Sequence, residues 1–411
     1  MIKKRSLSNG LDILLVPRNN VRSVSIIAAV RAGSAHEPQE LMGISHLIEH
    51  SVFRGTYNRN MEEIKRPIEE FGGSLNAFTG KNLTAYYAKV PLIAAKVGVE
   101  IIMDIIFNAE FNEEDIEKEK KIVLDEIAMY EDEPVENTFE QLHKIMFSNE
   151  FAFPVLGTKE SVSKLNSLKL KEYYLEKYTP KNIVLTIVGP EKDLESLLLD
   201  IEKLTPERKG KKCAFKSPIF NNNNNNNKIR KIEKSKEELS QIYIAYSFKA
   251  PSKMSQDFYS VSIMKTFLGS GMSSLLFTKI REEQGLAYEI TADYSAYNDN
   301  GVFTIFAATI PENFEKLNSS IYENIRNINK NSDLENWIEY GKKRLSGRYM
   351  LETENGLNFG FLALDYYLSF DKLIDIDEIV KKINSQENKN IIDVSNDIFN
   401  NEPYISIVKP K

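Results

Sequence analysis

Cysteine is almost missing from this 411-residue chain, where Cys213 stands alone. That excludes an intramolecular disulfide framework and every metal site built from clustered thiolates. Histidine is nearly as scarce. His36, His46, His50 and His143 are the full set, so any imidazole chemistry draws on those four. Positive charge is not in excess: 53 Lys+Arg against 59 Asp+Glu leaves −6, which argues against nucleic acid as a partner. No apolar run approaches the ~20 residues needed to cross a bilayer, so no membrane partner is expected. The N-terminus, MIKKRSLSNGLDILLVPRNN, starts basic, but the apolar stretch at residues 11–16 is broken by Asp12 and is short for a signal-peptide core. It reads as a strand, and the expected location is the cytoplasm.

What is present suits two globular cores. Hydrophobic residues make up 42% and charged residues 27%, and the length fits two domains most simply. From Pro206 the chain turns basic and then runs through seven asparagines, residues 221–227. Asparagine favours neither helix nor strand interiors and offers no apolar surface to bury. Residues 206–230 therefore read as a linker between an N-terminal domain, 1–205, and a C-terminal domain, 231–411. The two halves follow a similar order. Alternating apolar strands (LDILLV and VSIIAAV; SQIYIAYSF) precede a helix, and a second strand pair follows (SLNAFTG with TAYYAKV; AYEITADYSAY with GVFTIFAATI). Amphipathic helices come next, predicted over 91–106 and 113–130 in the first half and 311–328 and 333–350 in the second. The expected fold class is α+β: two tandem, homologous domains, each a mostly antiparallel sheet covered by helices on one face.

One constellation carries chemistry. In GISHLIEHS, residues 43–51, His46 and His50 are four apart, so on a helix both imidazoles leave the same face one turn apart. Two such nitrogens can grip one metal ion. Glu49 lies beside that face and can take a proton from a water on the metal. Chance supplies this H-x-x-E-H order, a zinc-peptidase signature, only roughly 0.006 times in a chain of this composition. A catalytic zinc usually takes a third protein ligand, and a carboxylate is the natural choice here. The helix EEDIEKEKKIVLDEIAMYEDEP offers many. Glu126 differs in lying among Ile122, Val123, Leu124 and Ile127, and Glu119 lies two turns earlier on the same face. Periodicity alone leaves the choice among these carboxylates open.

HLIEH, GGSLNAFTGKNLTAYYAKV and EKEKKIVLDEIAMYEDEP, with LGSGMSSLLFTKIREEQGLAYEI in the second half, resemble the pitrilysin and insulin-degrading enzyme family of zinc metallopeptidases. The likeness is to the short-chain branch that includes mitochondrial processing peptidase and its bacterial relatives. It covers nearly the whole chain except the asparagine-rich segment. The resemblance implies that His46, His50 and Glu126 hold one Zn2+, with 75 residues between His50 and Glu126, that Glu49 is the general base, and that Glu119 assists at the metal site. It implies that Asn76 and Phe78 lie near the substrate, and that Arg281 and Tyr288 contact it and stabilise the tetrahedral intermediate. A tyrosine hydroxyl beside zinc is a sensible partner for the developing oxyanion.

The same resemblance implies a clamshell of two chains, with the zinc in the first domain of one and the arginine–tyrosine pair from the second domain of the other. Because this chain carries both sets, a homodimer is expected. Substrates would be peptides or unfolded segments, bound extended against a sheet edge. Glu136 and Glu140, four apart on one helix face, match acidic positions that receive a basic residue of the substrate in processing peptidases. Two departures stand out. Leu275 replaces an arginine common after GMSS, and LGSGMSS is no long glycine-rich loop of the noncatalytic subunit type. The rival readings are an inert subunit that keeps the fold and a metal hydrolase of another substrate class.

Overall fold

The most continuous apolar stretches become the centres of sheets. The computed structural model describes residues 1–221 and 230–411; residues 222–227 of the asparagine run lie outside them. In chain order the strands are β1 (Lys3–Ser6), β2 (Asp12–Pro17), β3 (Ser23–Val30), β4 (Ser74–Thr79), β5 (Thr84–Pro91) and β6 (Ile183–Gly189), then β7 (Lys231–Lys236), β8 (Ile242–Ala250), β9 (Glu289–Ala296), β10 (Gly301–Thr309) and β11 (Tyr404–Pro410). β3 and β6 are buried nearly end to end, as strands covered on both faces must be. β4 alternates exposed and half-buried residues, the pattern of a strand with one face toward solvent.

The first sheet has the order β1-β2-β6-β3-β5-β4 and the second β7-β11-β8-β10-β9. In each, one pair runs parallel (β2 with β6, β7 with β11) and the others antiparallel. With β1 set aside, strands ranked by chain position read 1-5-2-4-3 across both sheets. The repeat suggested by the order of sequence patterns is therefore carried by strand topology. β4 and β9 are edge strands of their sheets.

The compact units built on these sheets are discontinuous. The first holds Met1–Met129, Phe153–Lys216 and Leu351–Ile374; the second holds Tyr130–Ala152, Ser217–Met350 and Asp375–Lys411. Each sequence half thus gives a helix to the other unit. The Gly356–Phe370 helix packs on β2, β3 and β6, and the Pro134–Met146 helix packs on β8 and β11. The first sheet is consequently covered on both faces, not one. Ile26 and Tyr86 face a large core that includes the Ala95–Phe107 helix. Ile27 and Tyr87 face a smaller one containing Leu364 and Tyr367. Tyr367 also donates to Asp12 Oδ2 at 2.7 Å.

Two predicted helices begin late, and proline is the reason. Pro91 ends β5 and Leu92 N–H bonds the Arg22 carbonyl, so a 3-10 turn, Leu92–Ala94, precedes the helix at Ala95–Phe107. Pro311–Asn313 is likewise a 3-10 turn before Phe314–Arg326. Residues 206–221 lack regular structure but are fastened. Arg208 donates to the carbonyls of Tyr178 and Phe107, both at 3.1 Å, and Asn182 and Asn82 accept the N–H groups of Cys213 and Lys216 at 2.7 and 2.8 Å.

Leu364 is 2% exposed in the smaller core of the first unit. Leu364→Ala should therefore lower stability by about 2–5 kcal/mol. This is read as an earlier urea transition, and in limited proteolysis as cleavage within residues 351–374 ahead of other sites. An unchanged urea midpoint would contradict this packing.

Candidate active site

The two histidines ride on a short helix, Ile44–Ser51, with an unusual start. Gly43 adopts φ +88°, a left-handed conformation that favours glycine. The orphan N–H groups at the helix start are met from outside the helix by Glu37, whose carboxylate accepts from Gly43 N at 2.7 Å and Ser45 N at 2.8 Å. Burial raises the Glu37 carboxyl to about 7, although those two N–H groups favour the anion. Past the helix, buried Asp104 gathers the loop by accepting from Thr56, Asn58 and Arg59 at 2.7, 2.6 and 2.7 Å.

From this helix His46 is buried and His50 half-buried, with ring centroids 4.7 Å apart. Glu126 comes from the Glu113–Asp132 helix. Its Oε2 lies 3.7 Å from His46 Nε2 and 3.6 Å from His50 Nε2. His50 Nδ1 meets Glu119 Oε2 at 2.9 Å, and Arg54 Nε donates to the other Glu119 oxygen. Glu119 thereby holds the Nδ1 proton of His50 and turns the Nε2 lone pair toward Glu126. Burial opposes ionisation of Glu119, but His50 and Arg54 outweigh it and hold its carboxyl below the usual range.

The donor set fits a divalent cation. Burial, with His50 beside it, pushes His46 down to about 4, so its ring is neutral at pH 7. Glu126 Oε2 is buried without a hydrogen-bond partner. One atom from each of His46, His50 and Glu126 lies within 4.8 Å of the others. Glu126 Oε2 thus faces two imidazole nitrogens with its own hydrogen-bonding capacity unmet, which a cation bound between the three groups would satisfy. Two imidazoles and a carboxylate suit zinc.

Glu49 sits between the histidines in sequence. Its Oε2 accepts from Thr79 Oγ1 at 2.5 Å. Burial raises its carboxyl above the usual range, and Glu126 adds to this; Thr79 and His50 oppose it. Beside Glu49 and His50 opens a cleft of about 570 Å³, with Phe53, Met61, Leu75 and Ile122 as apolar lining and Lys65 and Glu69 as charged lining.

Comparison with known proteins identifies the family. Residues 13–159 match the model described as insulinase (peptidase family M16), and residues 164–340 match the M16 inactive domain. "Uncharacterized zinc protease YmxG" of Bacillus subtilis (strain 168) is 31% identical over 413 residues, covering 100% of this chain and 98% of that protein. The chain belongs to the M16 peptidase family. A zinc protease of Rickettsia felis is 30% identical, over 98% of this chain and 96% of its own. Among solved structures, a protease from Helicobacter pylori superposes with a TM-score of 0.88 at 19% identity, covering 100% of this chain and 99% of that one. An M16 inactive-domain protein from Pseudomonas fluorescens gives 0.86 at 16% identity, covering 100% and 98%. These two establish the fold.

In this M16 chain the first unit therefore brings together His46, His50, Glu126, Glu119 and Glu49. Asn76 also lines the cleft, and its Oδ1 accepts from Ala77 N at 2.8 Å. Phe78 is placed otherwise. Its ring packs at 5.6 Å from Phe361 and 6.3 Å from Tyr87, on the sheet face opposite Thr79, as strand alternation requires. Arg281, Tyr288, Glu136 and Glu140 belong to the second unit. There Arg281, in the π-helical segment Phe277–Glu282, stacks over Phe277 at 4.4 Å and Tyr288 at 5.9 Å. Tyr288 is 71% exposed. Burial raises the Glu136 carboxyl, and Glu140 and Glu133 add to the rise; Lys144 lies 3.9 Å from Glu140.

Three residues with a part in the site carry no sequence signal of their own: Glu37, Arg54 and Thr79. Arg54 is four residues past His50, the one positional hint. The buried Glu37 generates a pH test. A carboxyl raised from 4.5 to about 7 in the fold retains a proton that the unfolded chain releases. Its contribution to stability is present in full below about 4.5 and is lost as pH rises through about 7. Glu37→Gln removes that dependence. The urea midpoint of wild type relative to Glu37→Gln should fall between pH 5 and pH 8, whereas parallel curves would contradict the assignment.

Proposed function

We propose that this chain is a zinc-dependent endopeptidase acting on peptides or unfolded segments. One observation carries the reading: His46, His50 and Glu126 converge within 4.8 Å, and Glu49 is supplied by the same helix as the two histidines. A Zn2+ held there would acidify a water and polarise a scissile carbonyl. Glu49 would take the proton of that water and return it to the leaving amine, general acid–base work typically contributing roughly 10²–10⁴-fold. Glu119, braced by Arg54, would keep His50 oriented. The apolar cleft would receive a substrate side chain, and β4, an edge strand, offers unpaired backbone groups to an extended peptide.

Arg281 and Tyr288 are assigned to substrate contact and to the oxyanion. Each chain carries both these residues and the metal ligands, which favours a homodimer in which the second unit of one copy completes the site of the other. Glu136 and Glu140 are assigned to a basic substrate residue, since their charges repel one another and a cation would relieve that. The inert-subunit alternative has to account for a full donor set and a base beside it.

Cleavage of a mixed quenched-peptide library tests the activity. Zinc-restorable cleavage should disappear with a chelator and with Glu49→Gln, which should still bind one zinc per chain. The wild-type cleavage products should show arginine or lysine near the scissile bond. No cleavage by zinc-loaded wild type would favour the inert subunit, and cleavage surviving Glu49→Gln would place the chemistry elsewhere. The composite site has its own test. Glu49→Gln and Tyr288→Phe, each inactive alone, should regain activity when mixed under subunit exchange, because hybrid dimers contain one intact site. A monomeric native mass with full activity would defeat it.

A further inference from the structure

Thr79 ends β4 and pairs with Thr84 of β5. Its hydroxyl lies 2.5 Å from Glu49 Oε2 and 3.5 Å from Thr84 Oγ1. A hydroxyl has one proton to give. Thr84 commits its own to the Ala32 carbonyl at 2.9 Å, so it does not donate to Thr79. The Thr79 proton goes to the carboxylate, where the bond is shorter and charge-assisted. Among the described residues no other hydrogen bond to the Glu49 carboxylate is made, so Oε1 is the oxygen left to receive a proton.

The support beneath this hydroxyl is rigid. Gly80 N–H bonds the Leu83 carbonyl at 2.8 Å, and Ser34 N–H and Ala35 N–H bond the Gly80 and Lys81 carbonyls at 3.1 and 2.8 Å. At Gly33 a Cβ would stand 2.3 Å from the Gly80 carbonyl oxygen, so only glycine permits the approach that clamps this turn. Glu49, by contrast, is a long side chain with several rotatable bonds, on a helix of eight residues. Left alone it would spread over rotamers.

We infer that Thr79 is a positioning residue for Glu49: its hydroxyl, mounted on the clamped β4–β5 turn, fixes one carboxylate oxygen and reserves the other for proton transfer. This rests on the peptidase reading of the same site. A base displaced by about 1 Å can cost up to ~10²-fold in rate.

The experiment compares Thr79→Val, which keeps the β-branched shape and removes the hydroxyl, with Thr79→Ser, which keeps the hydroxyl. Thr79→Val should lower kcat by about 10–100-fold with KM, bound zinc and thermal midpoint close to wild type. Thr79→Ser should recover most of the rate. In crystals of Thr79→Val the Glu49 carboxylate should leave the position it holds in wild type. Wild-type kcat in Thr79→Val, an equal loss in Thr79→Ser, or an unmoved Glu49 would each overturn the inference. Full activity of Glu49→Gln alone is the separate result that sinks the peptidase reading, and this inference with it.

Discussion

Acceptor atoms that face one another in a place sheltered from water set the terms for the first unit. His46 Nε2 and His50 Nε2 lie 3.7 and 3.6 Å from Glu126 Oε2, a buried carboxylate oxygen without a hydrogen-bond partner. A cation would satisfy that oxygen, and the groups nearby hold the three residues in place for it. Glu37 fastens the start of the histidine helix, Asp104 fastens the loop beyond its end, and Glu119 with Arg54 sets the rotation of one ring. The polar residues around the cluster are thus parts of one frame, and their charges offset one another locally while the chain as a whole is mildly acidic.

Much of this was legible in the residues. The four-residue spacing of His46 and His50 fixes a shared helix face whatever the tertiary structure, and Glu49 follows with it. The strand patterns were legible because β3, β5, β8 and β10 bury long apolar runs. The proposed third ligand was different. Glu126 and Glu119 sit on one helix among many acids, and what separates a ligand from its helper is which of the two meets Nε2 and which meets Nδ1, a matter of side-chain position. The family likeness supplied that choice, and the geometry is consistent with it.

The residues that escaped are those whose partners are close in space and distant in the chain. Thr79 reaches Glu49 across 30 positions and Arg54 reaches Glu119 across 65. Phe78, expected near the substrate, packs against Tyr87 and Phe361 on the face opposite Thr79, as period-2 alternation dictates. The Pro134–Met146 and Gly356–Phe370 helices were not among those that periodicity singled out, and nothing in the sequence tells which sheet each covers, so their exchange was invisible. An apolar stripe says that it will be covered, never by which partner.

That exchange has a consequence for biosynthesis. The three residues of the cluster precede residue 127, yet their sheet keeps one face bare until residues 351–374 leave the ribosome and the Gly356–Phe370 helix can close over Ile27 and Val184. Domains generally complete themselves as contiguous units during synthesis; here neither can. The nascent chain carries His46, His50 and Glu126 from early on but seals their sheet only after the Gly356–Phe370 helix has been made, so the timing of maturation is written into the order of the segments.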